Sequence, residues 1–268
     1  MTGSEHDALY VDAWGSGSPV VFVHGLGASS RYWEPLREAL PMGYRGIAPD
    51  LLGFGRSPAP HGAAFDVDCH LAALEPHIPP GSLIVAHSAG AILAAALAAR
   101  RPDLTARMVL LGLPNYRDAA AARAGVGRLG VLARLTATGN PVARMVCRTM
   151  CKWRPLAIGL APHLRRDLPA AVARDGARHT WASYHGTLEH VVIDHRAGPD
   201  LLRANVPTLL LHGSDDRAAP LRAVLELAES ARAVAAPIEL EVLTGDHHLA
   251  LRHPDLVTAA ISRHRSTG

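Results

Sequence analysis

Strand-like and helix-like segments alternate along most of this chain, and that alternation limits the fold more than any other property. Residues 18–24 (Ser-Pro-Val-Val-Phe-Val-His) form a nearly continuous apolar run that suits a strand buried on both faces, and 44–49, 82–86, 107–112, 206–212 and 237–243 read as further strands. Residues 8–14 read as an edge strand. Helical patterns fill the gaps: 31–40, capped by Ser30 and stopped by Pro41, then 66–77, the alanine-rich 89–100, 220–235 and 254–264. Strands separated by helices specify the α/β class, with a mostly parallel central sheet flanked by helices.

The rhythm breaks once. From Pro114 to Asp200 helical patterning continues near 116–136, 141–152 and 169–194, with no strand. Gly139-Asn140-Pro141 and prolines 155, 162 and 169 separate the helices. The expected organisation is one α/β core, residues 1–113 and 201–268, carrying a helical cap insertion, residues 114–200. The chain, at 268 residues, is longer than a single domain of roughly 150 residues, and the insertion absorbs most of the excess. No internal repeat or low-complexity linker argues for two independent domains.

Composition excludes several classes. An apolar share of 49% with 19% charged residues favours a packed core over disorder. No stretch of 18 apolar residues is present, so no transmembrane helix is expected. The start, Met-Thr-Gly-Ser-Glu-His-Asp, lacks the basic end and apolar run of a secretory signal. Three cysteines are too few for a disulfide framework, so a reducing, cytoplasmic location is expected. Cys147 and Cys151, one helical turn apart in an apolar pattern, are expected to be buried thiols. The 16 histidines show no metal-ligand spacing; His185 and His190 lack the His-Glu-x-x-His pattern, and neither metal nor cofactor is expected. A net charge of +3 is too small to suggest nucleic-acid binding.

The clearest chemical motif is Ala86-His87-Ser88-Ala89-Gly90, between a strand-like and a helical run. Small-x-Ser-x-small at a strand-to-helix turn holds a serine hydroxyl out from the strand end, and the small residues let the two backbones approach. The looser match Gly55-Arg56-Ser57-Pro58-Ala59 lacks a preceding strand. A serine hydroxyl needs a base to take its proton and an acid to orient the base. Suitable groups follow two later strands, in His212-Gly213-Ser214-Asp215-Asp216-Arg217 and in Gly245-Asp246-His247-His248. Both loops fall at strand C-terminal ends, where open α/β sheets place their sites.

Together these segments resemble the α/β-hydrolase superfamily over nearly the whole chain. The resemblance rests on Val-Phe-Val-His-Gly-Leu-Gly-Ala-Ser at 21–29, Ala-Pro-Asp-Leu-Leu-Gly-Phe-Gly-Arg-Ser at 48–57, the serine motif, His-Gly-Ser-Asp-Asp-Arg-Ala-Ala-Pro at 212–220 and Gly-Asp-His-His at 245–248. Ala86 stands where the family more often has glycine. The resemblance implies Ser88 as nucleophile, Asp216 as the acid, by its spacing to Pro220, and His247 as the base, by its spacing to Gly245 and Pro254. Asp215 and His248 are the alternatives. The oxyanion hole would be the backbone N–H groups of Leu26 and Ala89. His24 is expected to brace its loop, and Asp50 and Arg56 to be structural. The loop at 51–57 lacks the Gly-Lys-[Ser/Thr] of a phosphate-binding loop.

These parts imply cleavage of an ester, lactone or thioester of a small to medium, largely apolar substrate through an acyl-enzyme. Acyl transfer or cyclisation, carbon–carbon bond hydrolysis and cofactor-free haloperoxidase chemistry use the same triad. A non-catalytic ligand receptor is disfavoured because all three positions are filled. Substrate choice is expected to lie in the insertion, whose Val126, Leu129, Leu132, Leu135, Met145, Met150, Trp153 and Trp181 should mostly contact the core, with some lining an apolar pocket. The insertion carries 12 arginines and Lys152 against 6 acidic residues, a net +7, whereas the rest of the chain is net −4. The expectation is a basic cap seated on an acidic core. The sharper alternative is steering of an anionic substrate or an acidic acyl-carrier partner.

Overall fold

A strand buried on both faces belongs inside a sheet, and β4 (Ser82–His87), buried at every residue, lies at its centre. The computed structural model describes residues 9–266; the polar start and the first residue of the expected edge strand lie outside the described residues. Seven strands form one sheet, adding β1 (Val11–Gly15), β2 (Ser18–Val23), β3 (Tyr44–Pro49), β5 (Thr105–Leu111), β6 (Thr208–Gly213) and β7 (Ile238–Leu243). Their order is β1-β3-β2-β4-β5-β6-β7. Only β1 runs antiparallel, against β3.

Helices cover both faces. Two apolar clusters result, one around Phe54, Leu71, Ile84, Leu93 and Val191, the other around Phe22, Trp33, Val85, Leu211 and Ile261. The alanine-rich stretch becomes α3 (Ala89–Arg100), buried from Ala89 to Ala98. A helix this apolar on every side must be enclosed, and its methyl-sized side chains let β4 and the insertion approach closely. The first helical pattern divides into a 3-10 turn, Ser30–Trp33, and α1 (Glu34–Ala39). Its cap is Ser29, not Ser30: the Ser29 hydroxyl accepts from Arg31 N, while the Ser30 N–H donates to Asp50. The pattern at 66–77 becomes α2 (Val67–Leu74), capped by Asp66.

Between β5 and β6 the described chain forms helices only: α4 (Ala119–Gly127), α5 (Val131–Ala137), α6 (Pro141–Lys152), α7 (Arg154–Leu164), α8 (Ala170–Gly176), α9 (Trp181–Thr187) and α10 (Ala197–Ala204). The expected 116–136 helix is split at Gly130, whose φ of 141° lies outside the helical region. The 169–194 helix restarts at Thr180, which forms a capping box with Ser183, and ends in a π-helical turn, Leu188–Ile193. Helix α7 was not expected, because Pro155 and Pro162 read as separators. Pro155 sits in the first turn, where no N–H is needed, and Pro162 in the last. After β6 follow α11 (Leu221–Ala233), α12 (Leu249–Arg252) and α13 (Pro254–Ser266).

The apolar residues of the insertion divide. Val126 is buried, and Leu135, Met150 and Trp181 are half-buried, but Leu129, Met145 and Trp153 are exposed; the Leu132 side chain lies outside the described set. Helical spacing identifies an apolar face but not what covers it. On α6 the inward face is Ala143 and Cys147. Cys147 is buried as expected, with its thiol pushed up to about 12 by burial and by Cys151; Cys151 is only half-buried, against the carbonyl of His179.

Where insertion and core meet in an ion pair, the signs run against the net charges of the two segments. The acids come from the insertion and the arginine from the core: buried Asp175 accepts from the Ser29 hydroxyl at 2.8 Å and pairs with Arg31. The main chain of Asp167 accepts from Arg252. His70 bonds to Thr187 at 2.9 Å. A Cβ on Gly53 would lie 2.3 Å from Ser183 Cβ, so the 51–57 loop meets α9 at backbone distance.

Candidate active site

Three loops meet at the C-terminal edge of the sheet, following β4, β6 and β7. Ser88 continues β4 by one bond, its N–H donating to Leu111 O at 3.0 Å, and then turns abruptly with φ 55° and ψ −122°. This backbone is strained for any residue but glycine. The turn is possible because Gly90 is small: a Cβ there would lie 2.4 Å from the carbonyl oxygens of Val23 and His24. Ala86, two residues before Ser88, is fully buried. Ser88 itself is half-buried, at the N-terminus of α3, and its hydroxyl makes no hydrogen bond among the described residues.

The loops after β6 and β7 bring Asp216 and His247 together. His247 Nδ1 lies 2.8 Å from Asp216 Oδ2, and the Asp216 side chain is fully buried. The other carboxylate oxygen accepts the N–H groups of Ala218 and Ala219, both at 2.8 Å. Burial opposes ionisation of Asp216. The His247 bond and charge, with the Ala219 N–H and His212, outweigh it and hold the carboxyl below its ordinary range. Of the alternatives, Asp215 is exposed and faces Ser214. His248 lies 3.5 Å from the Tyr32 hydroxyl, and burial, with His247 nearby, drops it to about 4.

Gly25 and Gly27 form the loop after β2. A Cβ on Gly25 would lie 3.0 Å from Ser88 Cβ, which brings this loop against the serine. The N–H groups of Leu26 and Ala89 have no hydrogen-bond partner among the described residues. His24 braces the loop: its Nδ1–H donates to Gly25 O, and its Nε2 accepts the N–H of Leu51, both at 2.8 Å. Complete burial lowers its pKa, consistent with the neutral ring this pattern needs. Asp50, fully buried, accepts from Ser30 N and Arg56 N, and Arg56 stacks on Tyr10. These are structural contacts, as the sequence suggested.

Several supporting residues received no role from the sequence, although His87 and His212 stand within the family motifs. His87 Nε2–H donates to the carbonyl of His247 at 2.8 Å, and its ring stacks on Tyr32. Burial, with His247 and His248 close by, pushes His87 well below the usual histidine range. His212 Nε2–H donates to Ala219 O, and the Tyr116 hydroxyl to Ala218 O, fixing the loop that holds Asp216. Gly112 closes β5 beside the Asp216–His247 pair. The hint for each was its place at a strand end; nothing in its residue type distinguished it. Two surface recesses, of about 450 Å³ along α6 and about 640 Å³ between α4, α10 and α11, are lined by neither Ser88 nor His247.

A family model described as "Alpha/beta hydrolase family" matches residues 20–260. This chain belongs to that family. Its fold is similar to that of a solved structure, E-2-(acetamidomethylene)succinate hydrolase, with a TM-score of 0.72 over 97% of this chain and 95% of that one, at 20% identity. Among curated relatives, the Arabidopsis thaliana protein named probable lysophospholipase BODYGUARD 5 is 28% identical over 261 residues, covering 85% of this chain and 57% of its own length. The chain therefore spans little more than half of that relative. The 2-hydroxy-6-oxo-2,4-heptadienoate hydrolase of Pseudomonas putida is 30% identical over 231 residues, covering 80% of this chain and 77% of its own.

Proposed function

We propose that this alpha/beta hydrolase is a serine hydrolase that cleaves an ester, lactone or thioester through Ser88, His247 and Asp216. The observation that carries the reading is the 2.8 Å Asp216–His247 bond, made by a buried carboxylate at the strand edge that also presents the strained Ser88. With Nδ1–H directed to Asp216, Nε2 is the ring nitrogen left to take a proton. Ser88 Oγ attacks the acyl carbon as its proton passes to His247 Nε2. The carbonyl oxygen, now an anion, accepts the N–H groups of Leu26 and Ala89; one such donor is worth roughly 3 kcal/mol of barrier. The C–O or C–S bond then breaks, and His247 returns the proton to the leaving group. Water, deprotonated by the same ring, attacks the acyl-enzyme and restores Ser88. Asp216 keeps the ring oriented and stabilises its charged form.

In this reading residues 114–200 form the cap over the reacting groups. The contacts of α8 and α9 with the loops that carry Gly27 and Gly53 support it. The substrate is an acyl compound whose length and polarity the cap selects. The test is a panel of ester and thioester substrates with a fluorophosphonate probe, on wild type and Ser88→Ala. Wild type should turn over esters and be labelled at Ser88, while the variant should fold normally and do neither. A Ser88→Ala variant with undiminished turnover would defeat the proposal.

A second reading is favoured by the Pseudomonas putida relative: the same three residues would hydrolyse a carbon–carbon bond of an oxo acid. Loss of the dienoate absorbance of that relative's substrate, without ester turnover, would select it.

A further inference from the structure

The helices between β5 and β6 divide into an inner and an outer set. Asp175 of α8 and Ser183 of α9 touch core loops, and Thr187 of α9 touches His70 of α2. The outer pair, α6 and α7, carries an exposed apolar row instead. Leu156, Leu160 and Leu164 follow one another at four-residue intervals along α7, and Trp153 stands at its start with Met145 one helix back. Trp153 and Leu156 are each 59% exposed, Met145 61% and Leu164 79%. A soluble monomer does not usually leave so many large apolar side chains together in water.

The charge on this face has one sign. From Ala119 to Arg166 the chain has nine basic residues and no Asp or Glu. Arg144, Arg148 and Lys152 lie one turn apart along α6, and their side chains make no ion pair or hydrogen bond among the described residues. They line a shallow recess of about 450 Å³ together with Met145 and Thr149. The acids of the insertion are engaged elsewhere: Asp175 pairs with Arg31 and Arg178, Glu189 with Arg123, and Asp200 with Arg203 and His195.

We propose that the α6–α7 face docks on an anionic lipid bilayer surface. Arg144, Arg148 and Lys152 meet the headgroup phosphates, and Trp153 with the three leucines enters the interfacial layer. Charge selects this occupant. A second copy in a symmetric pair would bring two acid-free basic faces together, which like charges oppose. Basic residues beside a row of leucine and tryptophan are the composition that interfacial helices present to anionic lipid. The proposal does not depend on the reaction assigned to Ser88.

The experiment is co-sedimentation of the full chain with vesicles of phosphatidylcholine, alone or mixed with phosphatidylglycerol. Binding is expected to the mixed vesicles only, weakening as salt rises. The triple variant Arg144→Gln/Arg148→Gln/Lys152→Gln should bind roughly fivefold more weakly per charge removed, about a hundredfold in all. Leu156→Ser/Leu160→Ser should also release the protein while keeping every charge. Both variants should retain wild-type thermal midpoints and wild-type turnover of a soluble short-chain ester. Three results would overturn the proposal: no binding to anionic vesicles, equal binding to neutral ones, or undiminished binding by the triple variant. A wild-type dimer that Leu160→Asp dissociates would assign the face to a second copy and overturn it too.

Discussion

Gly112→Ala tests the reading of the Asp216–His247 pair without touching either residue. Gly112 has a φ of +54°, and a Cβ there would sit 2.9 Å from His247 Nδ1 and 3.1 Å from Asp216 Oδ2, where ordinary contact begins near 3.4 Å. The methyl group must displace the ring, because Asp216 is held by two N–H bonds at 2.8 Å. A shift of about half an ångström stretches the 2.8 Å His247–Asp216 bond beyond good geometry. A bond to a charged group contributes about 1.5–3 kcal/mol, so kcat/KM should fall by roughly 10- to 100-fold. The positive φ adds a backbone cost of about 1–2 kcal/mol to folding.

Gly81→Ala separates the two effects. Gly81 has a φ of +68° with nothing within 4 Å of a Cβ, so it bears the same backbone cost without the contact. Both variants should lose comparable stability in calorimetry, and only Gly112→Ala should lose ester turnover and fluorophosphonate labelling rate. Gly112→Ala within twofold of wild-type turnover would refute the reasoning, as would an equal activity loss in Gly81→Ala.

Three further outcomes are expected. Ser88→Gly should be inert yet more stable than wild type, by about 1–3 kcal/mol, because glycine accepts φ 55° and ψ −122° without strain; a lower thermal midpoint would contradict this. Asp216→Asn should lower kcat by about 10³- to 10⁴-fold while the chain still folds, since the amide no longer stabilises charged His247; single-turnover kinetics would reveal a smaller loss. Buried His70, lowered to about 4 by desolvation, is neutral in the folded state but protonates near 6.5 when unfolded. The unfolded chain therefore binds more protons below that value. His70's contribution, about 3 kcal/mol, is complete above pH 6.5 and is lost as pH falls through about 4. The gap between urea midpoints at pH 7 and 4.5 should narrow in His70→Gln, the other buried histidines keeping the remainder; an unchanged gap would remove His70 as a cause.

Much of the core was readable because its signals are local. A short run rich in β-branched residues, such as 19–23, suits an inner strand, and Ala89–Arg100 has the boundaries its alanine-rich composition predicts. Prolines misled in the insertion. Pro155 and Pro162 look alike in a sequence, yet α7 holds Pro155 in its first turn, where no N–H is needed, and carries Pro162 inside its last turn at the loss of one backbone bond. The net charges of cap and core, +7 and −4, stand, but they do not say which charges meet. Net charge is a sum over the segment, whereas the contacts are made by the few acids that face inward, Asp175 among them.

The candidate site divides in the same way. Ser88, Asp216 and His247 lie 128 and 31 positions apart, and the order of strand, loop and motif was enough to nominate them together. The spacing to Pro220 already favoured Asp216 over Asp215; the structure adds the direction of each side chain, one into the sheet edge and the other into water. Gly112 and Tyr116 lie in no family motif, and the motifs that contain His87 and His212 gave those two no role. They matter because the strand order β4-β5-β6 brings their ends side by side, and sheet pairing is non-local. The sequence by itself determined that the chain is an α/β sheet interrupted once by helices, since periodicity and turn chemistry act within a few residues. Only the tertiary structure decided which apolar face of those helices stays in water, because burial is a property of neighbours.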